Sequence, residues 1–105
     1  VGADRDDGFG NSVTDSGAVY LFSFADSTFN SGLLQSTMGF GYTGGKNVNI
    51  SDLAANDYFG SGVSIENSRL AVGAYFDDGY LDIGAASGNF GAVRLYTISN
   101  ATFDT

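Results

Sequence analysis

Apolar residues in this chain fall in short runs divided by Gly, Asn, Asp and Ser. Four runs are rich in β-formers: "GAVYLFSF" (17–24), "FGSGVSI" (59–65), "RLAVGAYF" (69–76) and "GAVRLYTI" (91–98). "GLLQSTMGF" (32–40) is a weaker fifth. None is long enough for a good helix, so the pattern predicts strands. Only "SDLAAND" (51–57) reads as a helical turn, with Ser51 as its N-cap. A period of two sets Val19 and Leu21 on one face of the first run. Ala18, Tyr20, Phe22 and Phe24 lie on the other. In residues 69–76, Leu70, Val72 and Ala74 oppose Ala71, Gly73 and Tyr75. Both faces are apolar in each run, which a half-solvated strand would not show. The expectation is a sheet sandwiched between two neighbours, its small residues admitting a close approach.

The runs also repeat. "VGADRDDG" (1–8) and "VGAYFDDG" (72–79) agree at six of eight positions, a shift of 71 residues. "GAVYLF" (17–22) and "GAVRLY" (91–96) agree at four of six, a shift of 74. The difference, 74 − 71 = 3, puts a three-residue insertion in the intervening loop, where insertions are tolerated. Similarity at one fixed spacing is the mark of repeat architectures, propellers among them.

Composition sharpens this picture. The 105 residues suit one small domain, yet 16 glycines raise the entropy lost on folding. With 43% hydrophobic and 14% aromatic residues the chain is too apolar for intrinsic disorder. It should fold, and with company. The net charge is −8 with four basic residues, which excludes a nucleic-acid partner and disfavours anionic membranes. No apolar run approaches the ~18 residues of a membrane-spanning helix. Eleven of the twelve acids are Asp, a residue of turns and caps, so the acidity belongs to loops. Cys and His are absent. Disulfides, thiolate metal sites and the commonest general base are therefore excluded.

The second copy is the fuller one: "DYFGSGVSIENSRLAVGAYFDDG", a loop, then "GAVRLYTI". Phe59-Gly60, Val63, Ile65, Val72-Gly73-Ala74 and Gly91-Ala92-Val93 make it resemble the FG-GAP repeat. That repeat occurs in integrin α-subunit propellers and in bacterial surface or secreted proteins. The resemblance implies an all-β fold of antiparallel four-stranded β-propeller blades. Residues 59–65, 69–76 and 91–98 would be the first three strands of one blade, and 32–40 the outer strand of the blade before. Residues 1–58 are then the back part of one blade with its outer strand and linker. Residues 59–105 are the front three strands of the next. About one and a half blades is less than a propeller of 4 to 8. The expectation is a piece of a larger propeller or a repeat completed by other chains. "IENSRL" supplies a tight Asn-Ser hairpin turn between the first two strands.

Other motifs carry less. "GFGYTGG" (39–45) holds G-x-G-x-x-G at Gly39, Gly41 and Gly44, but β-branched residues and Asn follow where a dinucleotide site needs a helix. Phe40 and Asn47 break the phosphate-loop pattern around Gly45-Lys46. Calcium takes several hard oxygens from a tight loop. Asp4, Asp6 and Asp7, and Asp77, Asp78 and Asp82, are the candidate ligands, against turn-forming Asp as the plain alternative. The resemblance places the family's calcium loop between the first two strands. Glu66, Asn67 and Ser68 are too short for one there. Asn49 and Asn100 fit the N-glycosylation acceptor pattern. A nucleophile needs a base beside it, and the paired Asp of a repeated scaffold read as turns, so no catalysis and no resident cofactor are expected.

Two functions follow. One is a non-enzymatic, extracellular or cell-surface segment with an adhesive role, binding a protein or glycan. The other is a structural subunit that assembles blade to blade, with copies of itself or further repeats as partners.

Overall fold

The computed structural model describes residues 1–78 and 90–99. Within them the apolar runs become strands: β1 (Gly2–Ala3), β2 (Ala18–Ser23), β3 (Leu33–Gly39), β4 (Val48–Asn49), β5 (Phe59–Glu66), β6 (Arg69–Ala74) and β7 (Ala92–Thr97). They form two sheets, ordered β1-β2-β3-β4 and β5-β6-β7. The fold is all-β, with no helix among the described residues. The second sheet is antiparallel throughout, β5 to β6 to β7. The Glu66–Arg69 pair closes the β5–β6 hairpin over Asn67 and Ser68. Asn67 takes a positive φ of 52°, a conformation Asn tolerates well.

Two details depart from the sequence reading. The first sheet gains a fourth member, β4, which lies parallel to the end of β3 through Met38↔Val48 and Gly39↔Asn49. The Gly-rich segment makes this return possible. Asn47 N–H donates to the Gly44 carbonyl (3.0 Å), and the Asn47 side-chain oxygen accepts from Thr37 N–H (2.9 Å). "GFGYTGG" therefore leads into a strand, not the helix a dinucleotide would need. Residues 51–57 also form successive turns rather than a helical turn. There Asp57 competes for the backbone, taking the Ala54 N–H on its carboxylate (2.8 Å).

The core lies between the sheets. Val19, Leu21 and Met38 come from the first sheet, Ile50 and Leu53 from the linker. Phe59, Leu70, Val72, Ala74 and Ile98 come from the second sheet and the residue after β7. Phe59, Val19 and Val72 are wholly buried. Each such side chain contributes about 1.5–3 kcal/mol through burial.

Candidate docking surface between repeats

The two sheets meet through main chain. The N–H groups of Asn56, Tyr58 and Phe59 donate to the carbonyls of Thr14, Asp15 and Ser16 at 3.0, 3.2 and 3.0 Å. A parallel bridge joins Gly17 to Phe59. This ties the start of β5 across the end of the loop that feeds β2. A Cβ on Gly17 would lie 2.0 Å from the Phe59 carbonyl oxygen, and one on Gly2 would lie 2.0 Å from that of Gly60. Gly17 and Gly60 also take positive φ of 89° and 95°. Only glycine satisfies both the conformation and the approach. The Phe-Gly pair thus works as a plug: the ring fills the core while the next residue lets two backbones touch.

Register assigns the faces. Gly2 and Met38 pair with Val19, and Ser36 pairs with Leu21, so these residues share the face covered by the second sheet. In the second sheet Gly73 pairs with Val93, and Ala71 with Leu95. By the repeat shifts, Gly73, Val93 and Leu95 are the counterparts of Gly2, Val19 and Leu21. Their surroundings are opposite. Val19 is 0% exposed and Val93 69%; Leu21 is 5% exposed and Leu95 78%. A groove lined by Gly73, Ala74, Tyr75, Phe90, Gly91 and Val93 runs along one end of that open face.

The candidate acids sit in the loops that enter these sheets. Asp6 and Asp77 are counterparts, and both do the same backbone work. Each N–H donates to the Ala three residues back (Ala3, 3.1 Å; Ala74, 3.3 Å). Each carbonyl accepts from the Gly before the next strand (Gly17, 2.8 Å; Gly91, 3.0 Å). Their carboxylates latch the counterpart side chain of the following strand, which differs between copies. Asp6 accepts from the Tyr20 hydroxyl, from the Tyr42 hydroxyl (2.9 Å) and from Gly8 N–H (2.8 Å). Burial, and then the hydrogen bond to Asp6, push the Tyr20 phenol well above its ordinary range. Asp77 instead accepts from Arg94 (2.9 Å), and the same guanidinium reaches Asp52 of the linker with both oxygens at 2.9 Å. Burial opposes the Arg94 charge, yet the bonds to Asp52 and Asp77 outweigh it and raise its pKa. The Arg94 hydrogen bond holds Asp52 below the usual carboxylate range.

Asp7 is likewise engaged, accepting from Asp15 N–H (2.8 Å). Asp4, Asp6 and Asp7 are neighbours in one loop but do not converge on a common point. Among the described residues no three acidic side chains are placed to hold a metal ion. Asp78 keeps one buried oxygen without a hydrogen-bond partner among them. Asp82 and Asn100 lie outside the described residues. Asn49 is exposed on β4, its side-chain oxygen accepting from Gly41 N–H (2.8 Å).

Sequence reading missed the latch. Aligning the copies column by column would have shown Asp6 recurring as Asp77 while Tyr20 is exchanged for Arg94, two different donors for one acceptor. Residues 49–93 match the family model described as FG-GAP repeat. Neither the curated proteins nor the solved structures include a significant match to this chain.

Proposed function

Because residues 49–93 match the FG-GAP repeat model, we propose that this chain is a non-enzymatic scaffold segment that associates, sheet upon sheet, with further repeats. The observation that carries this reading is the reversal of burial at counterpart positions, Val19 against Val93 and Leu21 against Leu95. An apolar face that one copy needs covered is bare in the other, and such faces are association surfaces. FG-GAP repeats typically occur in extracellular proteins, and no helix among the described residues is long and apolar enough to cross a membrane. An extracellular setting is part of the proposal.

The proposal assigns the chain no catalytic role. The chain has neither His nor Cys, and Asp6 and Asp77 are spent on Tyr and Arg donors. Light scattering across a concentration series tests the reading. The expected result is concentration-dependent assembly of the purified chain. A monodisperse monomer that unfolds cooperatively at every concentration would overturn it.

A further inference from the structure

We propose that the aromatic cluster of Tyr58, Tyr75 and Phe76, with the Arg5 guanidinium at its side, binds a carboxylate-bearing oligosaccharide. This goes beyond the scaffold reading and does not depend on it.

The cluster lies where the two copies differ. Between "VGADRDDG" and "VGAYFDDG" only two positions are exchanged, Asp4 for Tyr75 and Arg5 for Phe76. The loop backbone does not require the exchange. Asp6 and Asp77 make the same main-chain bonds with either pair beside them. Yet Tyr75 and Phe76 stay 47% and 39% exposed. The second copy thus sets two aromatic side chains at a surface where the first does without them.

Tyr58 gives the pair its backing. Its ring stacks on Tyr75, with centroids 5.1 Å apart and planes at 20°, and meets Phe76 edge-on at 5.4 Å. Tyr58 takes a positive φ of 56°, which is costly for a bulky residue. Its N–H donates to the Asp15 carbonyl (3.2 Å) and its carbonyl accepts from Ser61 N–H (3.1 Å), which hold it there. The platform is therefore in place before a ligand arrives. Arg5 completes it, with Cζ 6.0 Å from the centre of the Tyr58 ring. Arg94 spends its guanidinium on Asp52 and Asp77. Arg5 is exposed and makes no hydrogen bond or ion pair among the described residues.

These groups define the ligand. A flat aromatic face suits the C–H face of a sugar ring. An unused guanidinium fork suits a carboxylate, which it holds with two parallel bonds. A uronic-acid oligosaccharide carries both. Further repeats would leave this place open. The second sheet already covers the first, and there Arg5, the counterpart of Phe76, is still exposed and Asp4 partly so.

Titration of the whole chain tests the proposal, read by calorimetry and by tyrosine fluorescence. The probes are tetramers of galacturonate, guluronate, mannuronate and glucuronate, with EDTA present so that calcium bridges nothing. At least one should bind with a Kd below about 1 mM. Arg5→Gln should weaken that probe at least about tenfold. Tyr75→Ala should weaken it at least about tenfold too, and Tyr75→Phe, which keeps the ring face, should bind as wild type. Cellotetraose, which lacks the carboxylates, and tetraglutamate, which lacks the sugar rings, should each bind at least about tenfold more weakly. No binding to any of the four uronates would overturn the proposal. So would wild-type affinity in Arg5→Gln or Tyr75→Ala, or equal affinity for cellotetraose or tetraglutamate.

Discussion

The two copies of the repeat are one design in two environments. Where the second sheet lies on the first, Gly2, Val19 and Leu21 are interior. Where none of the described residues covers the second, Val93 and Leu95 are exposed and a Cβ at Gly73 would make only ordinary contacts. The loops keep the same backbone hydrogen bonds at Asp6 and Asp77 in both copies. What varies is the side-chain latch, two tyrosines in one copy and an arginine in the other. Backbone geometry is thus the constant of this repeat, and side-chain chemistry is fitted around it.

Mutations can break that comparison. Removing the plug with Phe59→Ala should cost about 3–5 kcal/mol in urea unfolding, since the ring is wholly buried between the sheets. A smaller loss would mean the sheets do not depend on each other. Next, Leu21→Ala should cost about 2–5 kcal/mol, while Leu95→Ala should stay within about 0.5 kcal/mol. Equal costs for these counterparts would erase the contrast. Arg94→Ala strips the buried Asp77 of its guanidinium and should cost about 1–3 kcal/mol in the same assay. Tyr20→Phe should cost less, because Tyr42 and Gly8 still serve Asp6.

Acid should act more gently. Asp26, bonded by Thr28 and Asn30, has its carboxyl lowered from 3.8 to about 2, and Arg94 lowers that of Asp52. A carboxyl depressed in the folded state adds stability above its unfolded pKa, and that stability is lost as pH falls through the folded one. Melting temperature should therefore decline between about pH 4 and pH 2. Asp26→Asn should flatten the decline slightly, and a profile identical to wild type would remove Asp26 from the account. Least of all, calcium titration by calorimetry should give no binding below millimolar, because Asp6 and Asp77 already serve other donors. Tighter binding would restore the loop acids as a site.

Much of the fold was legible in the sequence because its strands are short, apolar on both faces and punctuated by Gly, Asn and Asp. The run at 17–24 became β2, 59–65 became β5, and 91–98 became β7, each within two residues at either end. The apolar double face of residues 69–76 predicts a sheet covered on both sides; Val72 is wholly buried on one side, while the other carries the exposed Val93 and Leu95. β4 was not legible. Two residues of parallel pairing depend on how the Gly-rich segment turns back, and no periodicity marks that. The Arg94 bridge was equally hidden, since Asp52 and Asp77 lie 42 and 17 residues before it. The Gly-Ala-Val and Phe-Gly phrases were visible, but their meaning as two halves of one contact came only from the approach of Gly17 to Phe59.

That approach has an evolutionary consequence. Because the sheets touch through main-chain atoms at Gly17, Phe59 and Gly60 and bury the Phe59 ring, the joint depends on these positions more than on the latch side chains at positions 20 and 94. A copy made by gene duplication brings its own plug and its own seat, and it can be spliced in without adapting its neighbours. Positions 20 and 94 can then differ, tyrosine in one unit and arginine in the next.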